Sequence, residues 1–199
     1  VIAYDVGLQD DPIEALGRWL QAARDARSLT ADSMCVATVG ADGRPAARIV
    51  LLRGFDRAGL RFYTSYLSRK GRELTENPAV AVVLHWPELE RQVRIEGVVR
   101  VSSDDESDEY FERRPRGHRI NAWASEQSEP LESRELLRER FEAYAARFEG
   151  EEVPRPHSWG GYTVVPDRIE FWQSGADRLH DRIRFTHQSG GWGSARLQP

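Results

Sequence analysis

Three short segments of this 199-residue chain concentrate groups that hold anions. In Arg178-Leu179-His180-Asp181-Arg182, an extended backbone puts Arg178, His180 and Arg182 on one face and Leu179 and Ile183 on the other. The result is a surface of three potential cations, against which stands the plainer reading of a solvated strand face. In Thr64-Ser65-Tyr66-Leu67-Ser68-Arg69-Lys70-Gly71, a strand gives way to a helix with Ser68 near its N-cap. Free backbone N–H groups at that helix start join Arg69 and Lys70 in a candidate phosphate site, without the glycine spacing of a P-loop. In the third segment Arg113, Arg114, Arg116, His118 and Arg119 follow a helix that carries Tyr110. Such a cluster suits a small phosphate ester or a set of structural ion pairs better than nucleic acid. Gln92, and Gln127-Ser128 in a loop after Trp123, offer the directional hydrogen bonds that a heteroaromatic ring with polar edge atoms requires.

The balance of charge supports small anions over polyanions. Lys plus Arg number 28 against 32 Asp plus Glu, a formal net charge of -4, which speaks against a protein that coats nucleic acid. The one cysteine, Cys35, lies in the apolar run Met34 to Val39, so no internal disulfide forms and it reads as a small core residue of a reducing compartment. No Ser/His/Asp order, paired carboxylates or metal-ligand spacing stands out; hydrolysis has no specific support, no metal is expected, and cofactor-borne chemistry fits better. No run approaches the roughly 20 apolar residues of a membrane span, and a cytoplasmic protein is expected. The start at Val1 in place of Met leads us to expect further N-terminal residues in the natural product.

The elements that position these groups show two periods. Asp11-Pro12 opens a helical pattern in Ile13, Leu16, Leu20 and Ala23, with Asp11 as N-cap, after a short extended start over residues 1–10. Met34 to Val39, Ala47 to Leu52, Leu60 to Ser65, Val80 to Trp86 and Val93 to Val101 read as successive strands, with a tight hairpin at Asp42-Gly43 and a second turn at Asp56 to Gly59. Helices are expected over Asp104 to Arg113 and Ser133 to Phe148, the latter with a stripe of Leu136, Leu137, Phe141, Tyr144 and Phe148. Strands resume at Tyr162 to Val165, Arg168 to Gln173, Arg182 to His187 and Trp192 to Leu197. Residues 1–199 thus predict a single α+β domain, a mainly antiparallel β-barrel with peripheral helices.

Taken in order, the blocks Arg48-Ile49-Val50-Leu51-Leu52, Phe62-Tyr63-Thr64, Ser68-Arg69-Lys70-Gly71, Glu90-Arg91-Gln92-Val93, Arg114-Pro115-Arg116, Gln127-Ser128, Trp159-Gly160-Gly161-Tyr162, Ile169-Glu170-Phe171-Trp172-Gln173 and Arg178-Leu179-His180-Asp181-Arg182 resemble the pyridoxamine 5'-phosphate oxidase family. The resemblance runs from Asp11 to Pro199. It implies an FMN-binding split β-barrel and a homodimer with FMN at the interface. It also implies oxidation of pyridoxamine or pyridoxine 5'-phosphate to pyridoxal 5'-phosphate, with molecular oxygen as acceptor and hydrogen peroxide as product. Carried over by position, the FMN contacts fall on Arg48, Ile49, Val50, Leu51, Leu52, Arg53, Tyr63, Thr64, Arg69, Lys70, Gln92, Gln127, Ser128, Trp172 and Arg182. The substrate contacts fall on Arg53, Tyr110, Arg114, His118, Arg178 and His180, the last two orienting the substrate and stabilising its charge as the catalytic pair.

Four positions depart from the family pattern, which usually has Lys at Arg53 and often Ser at His118, and more commonly Gln at Arg119 and Gly at Asn121. The alternatives that follow are a related flavin oxidase of secondary metabolism, resembling the phenazine-biosynthesis branch, and a non-catalytic flavin-binding module. On a flat strand Arg48 and Arg53 would point to opposite faces, so a bend or strand end is required to bring both to one site.

Overall fold

The computed structural model describes residues 5–199. Of the expected extended start, residues 1–4 lie outside the described residues, and Gly7 to Asp10 form a turn closed by Asp10 N–H on the Gly7 carbonyl at 3.2 Å. Helix α1, Pro12–Asp25, begins as the sequence predicts: Asp11 accepts from the N–H groups of Ile13 and Glu14, and Pro12 sits where no N–H is needed. Its buried stripe includes Leu16, Trp19, Leu20 and Ala23. Trp19 meets Phe171 edge-on at 5.1 Å and Trp86 at 6.5 Å, so α1 docks against the sheet through its bulkiest side chain.

The strands are β1 Ser33–Val39, β2 Pro45–Leu51, β3 Gly54–Asp56, β4 Gly59–Ser65, β5 Ala79–Trp86, β6 Arg91–Val101, β7 Trp159–Gln173, β8 Asp181–Gln188 and β9 Gly191–Arg196. All pairings are antiparallel, in the order β2-β1-β5-β6-β7-β4-β3, with the β8-β9 hairpin added beside β7. Their inward residues, among them Met34, Val36, Leu60, Phe62, Val82, Leu84, Val93, Ile95 and Val164, form one core with α1. The sheet curls but its ladder does not close: β2 and β4 share no strand pairing. The expected split antiparallel barrel with peripheral helices is the fold observed, and the gap between β2 and β4 becomes the candidate site.

Three expectations about local structure need correction. The first hairpin is not a two-residue turn: Val39 pairs with Pro45 across a five-residue loop in which Gly43 alone takes positive φ, 74°, and Asp42 accepts from Arg44 N–H. Tyr162 to Val165 and Arg168 to Gln173 are one strand, β7. Pro166, which cannot donate to a ladder, is accommodated where the pairing with β6 shifts between Glu96 and Gly97, and a Cβ at Gly97 would lie 2.1 Å from the Val165 carbonyl oxygen. The bulge lets one strand pair with β4 at its start and β8 at its end. Third, Arg178 to Arg182 is not a strand face. Asp177 and Arg178 have φ of 54° and 63° in a turn over Ala176–Arg178, and β8 starts only at Asp181.

The remaining helices are α2 Arg69–Glu76, α3 Asp104–Glu112, α4 Arg116–Ala124 and α5 Arg134–Arg147. Ser68 caps α2 through Gly71 N–H, and Ser103 with Glu106 forms a reciprocal capping box on α3. Sequence periodicity did not predict α4, whose nine residues have only Ile120 and Ala124 buried. Helix α5 has no buried residue of its own; its stripe is half-buried, with Phe141 and Tyr144 against a second apolar cluster of Phe111, Ile120, Phe148, Val153 and Trp159. This cluster fixes α3 and α4 beside the barrel gap.

Candidate functional site

The gap between β2 and β4 opens into a cleft of ≈ 920 Å³. One wall is β2, an edge strand of the sheet, whose residues Arg48, Ile49, Val50 and Leu51 line the cleft. Ile49 is 64% exposed, high for an isoleucine on a strand. Arg53 also lines the cleft, and the parity conflict with Arg48 disappears because β2 ends at Leu51 and Arg53 lies in the link to β3. Leu52 departs from expectation: it is 3% exposed, belongs to the core and does not line the cleft. Tyr63, Thr64, Arg69, Lys70, Tyr110, Arg114, His118, Gln127 and Ser128 complete the wall together with Trp159.

At one end the cations are not equivalent. Arg48 pairs with Glu73 at 3.1 Å and Arg69 with the same carboxylate at 2.8 Å. Burial would push Glu73 up, but hydrogen bonds from Thr38, Arg69 and Arg48 outweigh it and hold the carboxyl below its usual range. Glu73, a residue sequence reading passed over although it stands one turn after Arg69, therefore neutralises two arginines. Among the described residues Lys70 has no such partner. It is a buried residue, 7% exposed, and its ammonium contacts only neutral oxygens there: Thr64 Oγ1 at 3.0 Å, Ser68 Oγ at 3.1 Å and Gln127 Oε1 at 3.0 Å. Desolvation, then the charge of Arg48, pushes its pKa down to about 8. A buried cation that lacks an anion, set beside hydroxyls and a helix start, is a donor set suited to a phosphate ester.

At the other end stand Arg53, Arg113, Arg114 and His118. The basic cluster divides sharply here. Arg113 pairs with Glu109, Arg119 with Glu152 at 2.8 Å, and Arg116 donates to the carbonyls of Phe148 and Glu151. Those contacts are structural. Arg114 instead lies over the Trp159 ring at 4.4 Å, and its buried Nη1 has no hydrogen-bond partner. Burial and the neighbouring Arg53 both lower its pKa, which again marks a cation lacking its anion. Tyr110 stacks on Tyr63 at 3.9 Å and 9°, and both rings run nearly parallel to Trp159. Trp159 is a cleft residue that the sequence reading quoted without a role. The glycines after it make the stack possible: a Cβ at Gly161 would come within 2.8 Å of Tyr63 Cε1.

Five expected site residues lie elsewhere. Gln92, Trp172 and Arg182 sit side by side across β6, β7 and β8, as consecutive register partners. His180 packs against Trp172 at 4.7 Å between centroids, and its Nδ1 accepts from Gly175 N–H at 3.2 Å, which leaves Nε2 as the proton-bearing nitrogen of the neutral ring. Arg178, exposed on its left-handed turn, stands two residues before it. Arg182 is held by Glu170 at 2.9 Å and by the Gln198 carbonyl. None of the five lines the cleft of its own chain. The chain therefore carries two separate patches: a cationic cleft and a Gln-Trp-Arg-His surface.

Among the described residues no cluster suited to a metal ion occurs and no helix is long and apolar enough to cross a membrane. Residues 21–148 match the family model described as pyridoxamine 5'-phosphate oxidase, and residues 159–199 match that of the pyridoxine 5'-phosphate oxidase C-terminal dimerisation region. A pyridoxine/pyridoxamine 5'-phosphate oxidase of Rubrobacter xylanophilus is 53% identical over 97% of this chain and 89% of its own length. One from Paraburkholderia phymatum is 51% identical over 95% and 89%. Among solved structures, PhzG from Burkholderia lata 383, in complex with tetrahydrophenazine-1-carboxylic acid, superposes with a TM-score of 0.91 at 35% identity, over 98% of this chain and 95% of that one. A pyridoxamine 5'-phosphate oxidase-related, FMN-binding protein from Nostoc punctiforme shares the fold, with a TM-score of 0.73 at 19% identity, over 97% and 100% of the two chains.

Proposed function

Because this chain belongs to the pyridoxamine 5'-phosphate oxidase family of FMN-dependent oxidoreductases, we propose that it oxidises pyridoxine or pyridoxamine 5'-phosphate to pyridoxal 5'-phosphate. The observation that carries this reading is the presence of two unpaired cationic groups in one cleft, Lys70 at one end and Arg114 with Arg53 at the other. One suits the phosphate of FMN and the second the phosphate of a substrate. When bound, FMN supplies a two-electron acceptor that is reoxidised by molecular oxygen, so that pyridoxine 5'-phosphate and O2 give the aldehyde and H2O2.

The protein's own part is positioning and charge. Lys70, Arg69, Thr64 and Ser128 hold the cofactor phosphate, while Gln127 and the edge of β2 through Arg48, Ile49, Val50 and Leu51 meet the polar rim of its ring. Arg53, Tyr110, Arg114 and His118 hold the substrate phosphate, and the aromatic wall of Tyr110 and Trp159 excludes water. Leu52 contributes through the core that supports this edge. A homodimer with FMN at its interface accounts for the second patch: Gln92, Trp172 and Arg182 of each copy complete the cofactor site of the other, and Arg178 with His180 orient the substrate there. The match of residues 159–199 to a dimerisation region supports this arrangement.

Arg53 and His118 are compatible with a second substrate class as well. A planar guanidinium at Arg53 pairs with a carboxylate as readily as with a phosphate, and PhzG, which binds tetrahydrophenazine-1-carboxylic acid, is similar over nearly the whole chain. Peroxide release from the FMN-loaded protein separates the two. We expect turnover with pyridoxine 5'-phosphate. Turnover with the phenazine acid alone would install the second reading, and silence with both would return the chain to a flavin-binding module.

Lys70 predicts a pH dependence. Cofactor phosphate needs the ammonium form, so the FMN affinity of the apoprotein is retained below pH 8 and falls by up to about tenfold per pH unit above it. Fold stability of the apoprotein moves the other way. The folded state loses the Lys70 proton near pH 8 and the unfolded chain only near its ordinary value of 10.5, so between these limits the unfolded state binds more protons and stability rises with pH. Fluorescence titration of FMN at pH 7, 8 and 9 reads the first effect; a flat affinity across this range would contradict the assignment of Lys70.

A further inference from the structure

We propose that Arg155 is a positioning residue for the phosphate end of the substrate, acting through α3 and not by contact. The inference rests on the reading of the cleft as a site for a phosphorylated substrate. Arg155 does not line the cleft. Its side chain is 7% exposed and all three guanidinium nitrogens are used: Nε donates to Asp108 at 2.5 Å, Nη2 to Asp104 at 2.6 Å and Nη1 to the Trp159 carbonyl at 2.8 Å.

The geometry of these contacts is what gives Arg155 a role beyond holding the fold. Asp104 and Asp108 are four residues apart on α3 and project from one face. A planar fork gripping both fixes the inclination of the helix, which one ion pair would leave free. Its third contact is the backbone of Trp159, so one side chain joins two walls of the cleft. Tyr110 follows in the next turn of α3, and Arg114 comes just after the helix end. Arg114 has no carboxylate partner; its guanidinium rests over the Trp159 ring at 4.4 Å. The placement of that cation is therefore set by the distance between α3 and Trp159, which Arg155 spans together with the edge-on contact of Phe111 with Trp159 at 5.1 Å. Ser107 adds one weaker tether, accepting from Gly161 N–H at 3.2 Å. The Asp108 hydrogen bond, more than the opposing burial, raises the Arg155 pKa, so its guanidinium stays charged.

Arg155→Met in the FMN-loaded enzyme is expected to raise KM for pyridoxine 5'-phosphate and the Kd for inorganic phosphate, measured by calorimetry, each roughly tenfold, with kcat and FMN affinity changed less than about twofold. Arg155→Lys should recover part of the loss. The double substitution Asp104→Asn with Asp108→Asn removes the other half of the clasp from the exposed side and should show the same signature, which keeps the test available if Arg155→Met folds poorly. Unchanged KM and phosphate Kd in either variant would overturn the inference, as would a fall in kcat and FMN occupancy with KM unchanged, the mark of a purely structural clasp. If the wild-type enzyme bound phosphate but left pyridoxine 5'-phosphate untouched, the proposed function would fail while the phosphate Kd of the variants still decided the role of Arg155.

Discussion

Replacing Lys70 by methionine is expected to raise the Kd for FMN roughly 10- to 150-fold, equivalent to the about 1.5–3 kcal/mol of a hydrogen bond to a charged group. Arg69→Ala is expected to weaken FMN by less than about fivefold, in keeping with an exposed ion pair. The ranking follows from pairing. Arg69 keeps 60% of its side chain in water and already has Glu73, whereas Lys70 is buried with only the oxygens of Thr64, Ser68 and Gln127 around it. On the proposed assignment, phosphate is the partner that makes burial of this ammonium favourable. Titration of the two apoproteins with FMN checks the order, and an Arg69→Ala defect larger than that of Lys70→Met would reverse our account of which cation holds the cofactor.

Arg178→Ala and His180→Ala are expected to slow reduction of bound flavin by substrate roughly 100-fold or more, the loss typical of a donor aimed at charge that develops during reaction. FMN affinity should stay within about fivefold, because the cofactor contacts proposed for their patch are Gln92, Trp172 and Arg182 and not these two side chains. His180 is oriented before substrate arrives, by Gly175 N–H on Nδ1 and by the Trp172 ring. Anaerobic stopped-flow reduction, paired with FMN titration, separates the effects. Equal loss of cofactor in both variants would show that they support the FMN site and not the chemistry.

Much of the barrel was legible because its strands alternate strictly: Ser33–Val39 and Ala79–Trp86 bury every second residue and appear where the pattern puts them. Capping was legible for the same local reason at Asp11 and Ser68. Where local rules compete with tertiary pairing, the sequence alone misled. Pro166 looked like a strand end and is instead absorbed opposite a glycine bulge, and the alternation of Arg178, His180 and Arg182 suggested a strand where two left-handed residues make a turn. Helix α4 was invisible because its short polar run carries little periodicity.

The cleft residues were found mainly through the family resemblance, and the structure gathers most of them without deciding their roles. What sequence could not supply was the pairing state of each cation. Arg69 and Arg113 pair with carboxylates one turn away, Arg48 and Arg119 with the distant Glu73 and Glu152, and Arg116 with distant carbonyls, whereas among the described residues Lys70 and Arg114 have no carboxylate partner. That distinction depends on three-dimensional neighbours such as Glu73 and Trp159, and it narrows a list of basic residues to two candidate anion sites.

On the proposed function, a phosphorylated alcohol or amine held in this cleft delivers electrons to FMN. Absorbance of the FMN-loaded protein during anaerobic mixing with pyridoxine 5'-phosphate tests it most directly. We predict that the oxidised flavin band bleaches with one equivalent of substrate and returns, with release of H2O2, when oxygen is admitted. Stoichiometrically bound FMN that stays oxidised under excess pyridoxine 5'-phosphate and excess pyridoxamine 5'-phosphate would contradict the claim.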